Sequence, residues 1–158
     1  MSLAGKGLLE VVRNRGFRVV EMTDRDKQEV YDLRMLIEVE AVRRVAEAGV
    51  DQAGAQRLRA LTEETVANAH SEDIVDYLEA DQVYHARLVG LLGNSRWTAI
   101  VENLRDQSRI TDFYHHLKDN GRLEDSAAEH RGITEAVVAG DPERAAELMT
   151  RHLGYARP

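Results

Sequence analysis

The sequence contains no cysteine, which excludes disulfides, thiolate nucleophiles and thiolate metal ligands. A metal site in this chain would therefore have to use histidine and carboxylate side chains. Two prolines and an aromatic content of 5% favour helices over a β-sandwich. No apolar run approaches the roughly 20 residues of a membrane span, and no signal peptide is visible. We therefore expect a cytoplasmic protein that does not act in a membrane.

The charge is distributed unevenly along the chain, whose net charge is −7. Residues 1–20 hold four basic residues and one acidic residue, whereas the remainder holds 17 basic and 27 acidic residues. An acidic body will not bind nucleic acid by itself, because the phosphate backbone repels it. The short basic segment is suited to DNA contact if it belongs to something larger.

The basic segment has the pattern of a β-hairpin. Two β-branched runs, Val11–Val12 and Val19–Val20, flank Asn14-Arg15-Gly16, which places a glycine where a turn requires positive φ. A lone two-stranded hairpin is marginally stable in water. It must therefore dock on the rest of the chain or have partners outside it; on these residues alone, a surface hairpin without function is an equal alternative.

From Thr23 onward the hydrophobic pattern is helical, and on the first helix it predicts a core face formed by Val30, Leu33, Ile37, Ala41 and Val45. We predict an all-α, antiparallel bundle of about six helices joined by short loops, preceded by the short hairpin. Capping residues set the helix starts, and glycines or asparagines near 49, 93–94, 120–121, 140 and 154 set most of the ends. The predicted starts, from the first helix to the sixth, are Thr23, Asp51, Ser71, Ser95, Ser126 and Asp141–Pro142.

Four polar residues occupy positions on the apolar faces of three helices. Asp81 and His85 lie four residues apart on the third helix and therefore share a face. His130 on the fifth helix and His152 on the sixth occupy similar positions. Three imidazoles and one carboxylate suit a divalent metal ion, zinc above all, with nickel, manganese or iron as alternatives. The spacing also fits histidines that merely bond to polar neighbours in the core.

Several residues on the first and fourth helices are candidates for binding a small acid. Arg34 leans inward and offers a two-pronged fork for a carboxylate, although a surface arginine paired with Glu38 fits the same pattern. Arg105 and Gln107 on the fourth helix are further candidates. The pair His115–His116 near the end of that helix is predicted to lie on the surface or at the rim of a pocket.

Three segments together resemble a known family. In order, they are YDLRMLIEVEAVRRVAE, DQVYHARLVGLLGNS and EHRGITEAVVAGDPERAAELMTRHL. Their sequence is similar to the FCD domain, the all-helical effector-binding domain of one branch of GntR-type bacterial transcription regulators. The resemblance extends from about Thr23 to the end of the chain. Tyr84 is a mild departure, because the family often has phenylalanine there and the added hydroxyl needs a partner.

The resemblance implies a metal site and a ligand. The family's metal ligands fall on Asp81, His85, His130 and His152, and Arg34 lies where an arginine that binds a small organic acid is expected. The resemblance also implies a homodimer.

The basic segment resembles the wing of a winged helix-turn-helix domain. This implies that residues 1–22 are the wing remnant and linker, with Arg13, Asn14 and Arg15 contacting DNA, and that residues 23–158 form the FCD domain. We expect the helices that read the major groove to lie upstream of this chain, so that DNA binding requires the longer protein.

The leading interpretation is a ligand sensor and not an enzyme. Metal and organic acid in the bundle core would control the placement of DNA-binding heads. One alternative is a metal-dependent enzyme acting on small carboxylates, since an open metal position can polarise a carbonyl or activate water. Another is a purely structural metal that joins three helices.

Overall fold

The computed structural model describes residues 9–12, 16–19, 21–71, 73–109 and 122–154. At the N-terminal end, strands β1 (Leu9–Val12) and β2 (Gly16–Val19) pair in antiparallel fashion, with Leu9 opposite Val19. Residues 13–15, which include the candidate DNA contacts Arg13, Asn14 and Arg15, lie outside the described residues. Their role, and the assignment of residues 1–22 to a winged domain, stay predictions.

Six helices make up the rest of the described chain, as predicted. They are α1 Asp24–Ala48, α2 Gln52–Asn68, α3 Ile74–Gly90, α4 Ser95–Arg109, α5 Leu123–Val138 and α6 Pro142–Gly154. Helix α1 packs against α3, α4, α5 and α6, while α2 packs against α3 and α5. The main apolar core lies among α1, α2, α3, α5 and α6. The prediction of an all-α helical bundle is confirmed, and no described helix has the length and apolar character to cross a bilayer.

Side-chain caps fix three of the predicted helix starts. Thr23 and Asp26 form the capping box of α1, in which each side chain bonds to the backbone N–H of the other residue. Asp51 accepts from the N–H of Gly54 at 2.7 Å, and Asp141 accepts from the N–H of Arg144 at 3.0 Å. These caps satisfy N–H groups that the first turn leaves unpaired.

Two helix starts differ from the sequence prediction. Asp73, not Ser71, caps α3, and its Oδ1 accepts from the N–H of Val75 at 2.9 Å. Helix α5 begins at Leu123, one turn before the predicted start at Ser126. Leu123 is 3% exposed and packs in a small cluster with Tyr77. Because burying Leu123 stabilises the extra turn, the capping pattern that begins at Ser126 lies inside the helix.

The predicted end of α4 near Asn120–Gly121 lies outside the described residues, as do His115 and His116. Helices α1 and α5 end as predicted, at Gly49 and just before Gly140, which have φ of +79° and +70°. Glycine adopts this conformation without the steric cost that other residues incur.

The buried face of α1 differs from the predicted one and prepares the functional site. Leu33, predicted to face the core, is 46% exposed, whereas Arg34 and Glu38 are 3% and 0% exposed. The expectation that Leu33 is a core residue is therefore wrong. These two charges can lie in the interior because they pair with each other, while Glu38 also pairs with Arg105 on α4 and Arg34 also contacts Ser108 there.

Candidate metal centre

The four predicted metal ligands meet in the interior of the bundle. Helix α3 carries Asp81 and His85, α5 carries His130 and α6 carries His152. Their exposed fractions are 3%, 0%, 0% and 7%, respectively. One donor atom from each residue lies within 4.8 Å of the others. The periodicity of three helices thus identified four residues that are close in space.

His130 lies at the centre of this cluster. Its Nε2 atom is 3.2 Å from Nε2 of His85 and 3.2 Å from Nε2 of His152. Oδ1 of Asp81 lies 3.4 Å from Nε2 of His130 and 3.7 Å from Nε2 of His85. Three nitrogens and one oxygen, contributed by three helices, therefore converge on one small volume.

The chemistry of this donor set fits a divalent cation. A neutral imidazole has one N–H and one lone pair, so a proton on Nε2 of His130 can serve only one of the three acceptors around it. A metal ion satisfies all the lone pairs together. Two nitrogens bound to zinc at about 2.0–2.1 Å and the tetrahedral angle are about 3.3 Å apart, close to the separations of 3.2 Å in this cluster.

The electrostatics hold these groups in the protonation states that metal binding requires. Burial, together with the charge of the nearby Arg105, lowers the pKa of His85 to about 4. Burial, with the neighbouring His152 and His85, holds the pKa of His130 well below its usual range. Burial opposes ionisation of Asp81, but the charge of Arg105, together with His85, His152 and Arg34, outweighs it and lowers the pKa. At neutral pH the imidazoles of His85 and His130 are therefore neutral and the carboxylate of Asp81 is charged.

Arg105 fixes the orientation of Asp81. The guanidinium is 1% exposed, and its Nη2 donates to Oδ2 of Asp81 in a short contact. This bond leaves Oδ1 as the oxygen that faces the histidines. Nη1 of Arg105 also donates to Oε2 of Glu38 at 3.2 Å. Arg105 therefore orients a candidate metal ligand; its predicted role in effector binding stays a prediction.

Glu38 on α1 contacts the cluster but is not one of its four candidate ligands. Its Oε1 accepts from Nε of Arg34 at 2.8 Å, and its Oε2 lies 2.7 Å from Nδ1 of His85. The latter pair is close, but it lacks the alignment of a hydrogen bond. Burial opposes ionisation of Glu38, yet Arg34, Arg105 and His85 together lower its pKa well below the usual range. Glu38 is thus a buried anion shared by groups from three helices.

The outer nitrogen of His152 has a carboxylate partner as well. Nδ1 of His152 lies 3.1 Å from Oε2 of Glu129, whose side chain is 14% exposed. By contrast, Nδ1 of His130 is buried and has no hydrogen-bond partner among the residues that the structure describes. The sequence did not reveal these outer partners, because Glu38 and Glu129 read as ordinary charges on amphipathic helices.

The hydroxyl of Tyr84, which was predicted to need a partner, has two hydrogen-bond partners beside the cluster. It donates to the carbonyl of His130 at 3.3 Å and lies 3.0 Å from Oγ1 of Thr134. Thr134 in turn lies 2.8 Å from Oγ1 of Thr62 on α2. The ring of Tyr84 packs against that of His130, with centroids 4.3 Å apart. A buried chain of hydroxyls therefore lies beside the central histidine.

The remaining candidates lie at different distances from this centre. Arg34 is buried, as its inward-leaning position predicted, and the alternative of a surface arginine is wrong, although the pairing with Glu38 is present. Its Nη1 lies 3.4 Å from Oγ of Ser108. Gln107 is half-buried and donates to Oδ1 of Asn103 on the same helix at 2.8 Å. Roles for Arg34 and Gln107 in effector binding stay predictions.

Comparison with known proteins places these features in a family. A model of the FCD domain matches residues 29–155. Over 157 residues the chain is 29% identical to the HTH-type transcriptional repressor GlaR of Escherichia coli K12, covering 96% of this chain and 71% of the repressor.

Solved structures share the fold. E. coli McbR/YncC superposes with a TM-score of 0.81 at 17% identity, over 96% of this chain and 76% of that one. A GntR transcriptional regulator from Rhodococcus sp. RHA1 superposes with a TM-score of 0.78 at 24% identity, over 98% of this chain and 73% of that one. The chain belongs to the FCD domain family, and its relatives and structural neighbours are GntR-family regulators.

Proposed function

We propose that this FCD domain is the ligand-sensing part of a bacterial transcription regulator and that it binds a divalent metal and a small organic acid in the bundle core. The observation that carries the proposal is the convergence of three imidazole Nε2 atoms and one carboxylate oxygen within 4.8 Å, all from buried residues. The similarity to a transcriptional repressor supports the regulatory part.

Asp81, His85, His130 and His152 would hold the metal. Nitrogen-rich donor sets of this kind favour zinc, with nickel, manganese or iron as alternatives. When bound, the ion supplies a Lewis acid with coordination positions for the oxygens of an acid. The surrounding residues exclude bulk water and keep the imidazoles neutral, since burial lowers the pKa values of His85 and His130.

Arg34 would bind the carboxylate of the acid. Its Nε is held by Glu38 and its Nη1 by Ser108, which fixes the plane of the guanidinium in the interior. A fixed, desolvated guanidinium binds a carboxylate with more directional specificity than a mobile lysine. Arg105 and Gln107 on α4 would add hydrogen bonds to the same ligand.

Helix α1 would carry the signal towards DNA. Its 25 residues correspond to about 37 Å at 1.5 Å per residue, and Glu38 in its middle contacts His85 and Arg105. Its first turn follows the N-terminal strands directly. In a homodimer, the binding of metal and acid would favour one placement of the two DNA-binding heads over another.

The proposal is tested by metal analysis combined with ligand-dependent melting. The purified chain is stripped with a chelator, reloaded with zinc and melted in the presence of a panel of hydroxy, keto and dicarboxylic acids. We expect about one metal per chain and an acid that raises the melting temperature only of the loaded protein. Absence of metal after reloading would overturn the proposal.

A structural metal is the second candidate, because the four ligands join α3, α5 and α6. Under this alternative, chelation lowers the melting temperature and no acid changes it. The enzymatic alternative has less support, since Glu129 lies against the outer nitrogen of His152 and not on the inner side of the cluster. Turnover of an acid from the panel would favour it.

A further inference from the structure

Glu129 has a contact that the metal-ligand set does not account for. Its Oε2 lies 3.1 Å from Nδ1 of His152, the nitrogen that faces away from the other ligands. Glu129 borders an open groove of about 320 Å³ that is also lined by Asp125, Ala128, Gly132 and Arg151. It therefore lies between the buried cluster and the surface.

We propose that Glu129 is a positioning residue that sets the tautomer and the ring orientation of His152. This inference rests on the proposed metal function. A carboxylate oxygen accepts hydrogen bonds, so Nδ1 of His152, which faces Oε2 of Glu129, is the nitrogen that carries a proton. With the proton on Nδ1, the lone pair is on Nε2 and faces the other three ligands. A carboxylate on the outer nitrogen also raises the basicity of a ligating histidine.

The order of residues on α5 makes this arrangement possible. Glu129 and His130 are adjacent and therefore project about 100° apart around the helix. His130 reaches the inner nitrogen of His152, with a separation of 3.2 Å between the two Nε2 atoms. Glu129 reaches the outer nitrogen of the same ring at 3.1 Å. One turn of α5 thus holds the imidazole of His152 from both sides.

His152 has particular need of such a partner. It is the most exposed of the four ligands, at 7%, and it lies two residues before the end of α6 at Gly154, where helices tend to fray. The bond from α5 restrains this last turn. Arg151 lies 3.7 Å from the other carboxylate oxygen, Oε1, so Oε2 stays directed at His152.

Glu38 does not position the ring of His85 in the way that Glu129 positions that of His152. Its carboxylate already accepts from Arg34 and Arg105, and its approach to Nδ1 of His85 lacks hydrogen-bond alignment. Among the described residues, Glu129 is the carboxylate that forms a hydrogen bond with the outer nitrogen of a candidate ligand.

The test compares Glu129→Ala and Glu129→Gln with wild type and with Asp125→Asn. Asp125 is exposed, lies one turn earlier on α5 and lines the same groove, so its variant removes a nearby charge without removing the partner of His152. Long-range ¹H–¹⁵N NMR correlations of the metal-free proteins report which nitrogen of His152 carries the proton. Competition with a chromophoric chelator then gives zinc affinity.

We expect the Nδ1–H tautomer in wild type and in Asp125→Asn, and a mixture of tautomers in Glu129→Ala. The zinc dissociation constant should rise about 10- to 100-fold in Glu129→Ala, as for other outer-shell partners. It should rise less in Glu129→Gln, whose amide oxygen still accepts a hydrogen bond.

Two results would overturn the inference: an Nε2–H tautomer in metal-free wild type, or a Glu129→Ala protein that matches Asp125→Asn in tautomer and in zinc affinity. A wild-type chain that binds no zinc but shows the tautomer difference would overturn the metal function while supporting the positioning role of Glu129. The two proposals can therefore fail separately.

Discussion

Nε2 of His130 lies 3.2 Å from Nε2 of His152, although the two residues are on different helices. In a neutral imidazole, Nε2 carries either a proton or a lone pair, never both. Because of this proximity, a substitution of His152 is a direct test of the proposed metal site. Replacing His152 with alanine removes one donor at the edge of the cluster, since His152 is the least buried of the four residues, at 7% exposed.

We expect His152→Ala to retain less than about 0.1 metal ion per chain after dialysis, because losing a ligand costs more than the 10- to 100-fold loss caused by removing an outer partner. Elemental analysis measures the metal, and circular dichroism verifies the fold. His70→Ala is the matched control, since that histidine is 67% exposed and does not belong to the candidate ligand set. Equal metal content in both variants would contradict a metal site at His152.

A second prediction concerns the buried pair of Asp81 and Arg105. Asp81→Asn keeps the shape of the side chain but leaves the guanidinium of Arg105, which is 1% exposed, with less compensating charge. We expect the metal-free protein to lose about 1–3 kcal/mol of stability, the usual cost of weakening a buried charged hydrogen bond, and zinc affinity to fall as well.

Urea denaturation in the presence of a chelator measures that stability. Glu63→Gln supplies the control, because it removes an exposed ion pair with Arg131 on the surface, and such pairs contribute little. If both variants shift the midpoint equally, the charge of Asp81 has no special role in the core.

Much of the fold was accessible from the sequence because its signals are local. Caps at Thr23, Asp51 and Asp141 depend on residues three positions apart, and they act as predicted. The start of α5 was not predictable in this way, since it depends on Leu123 packing near Tyr77, which is 46 positions away along the chain. Tertiary burial overrides a local capping pattern when the two disagree.

The candidate site shows the same difference between local sequence signals and contacts made across the fold. Helical periodicity identified Asp81, His85, His130 and His152, because the sequence of one helix is enough to recognise a polar residue on an apolar face. The outer partners were not visible, since Glu129 and Glu38 gain their meaning from atoms on other helices. For the same reason the sequence placed Leu33 in the core and gave Arg34 an exposed alternative. The pairing of Arg34 with Glu38 is visible within α1, but Arg105 and Ser108, which receive the two charges in the interior, lie on α4.

A third prediction concerns the acid sensitivity of the metal-free protein. Burial lowers the pKa of His85 to about 4, whereas an unfolded histidine titrates near 6.5. Below about pH 6.5 the unfolded chain therefore binds a proton that the folded chain does not. Stability is full above this pH and falls as the pH approaches 4, by roughly 1 kcal/mol per pH unit for each such histidine.

Urea midpoints between pH 7 and pH 5 measure this loss. His130 contributes in the same direction, because its pKa is also lowered. The carboxylates of Asp81 and Glu38 act only at lower pH, since their pKa values are lowered from 3.8 and 4.5. His85→Gln should reduce the slope. A midpoint that does not change between pH 7 and pH 5 would show that these imidazoles are not held neutral by the fold.

A fourth prediction concerns the hydroxyl of Tyr84, a fully buried residue. Tyr84→Phe removes its bonds to the carbonyl of His130 and to Thr134, while Thr134 keeps Thr62 as a partner at 2.8 Å. We expect a loss of about 1–3 kcal/mol, the usual net value of two hydrogen bonds, with zinc affinity unchanged. Urea denaturation and chelator competition measure the two quantities, and Thr134→Val completes a double-mutant cycle. A parallel loss of zinc affinity would mean that the hydroxyl holds the backbone that places the central imidazole, and does not merely pack beside it.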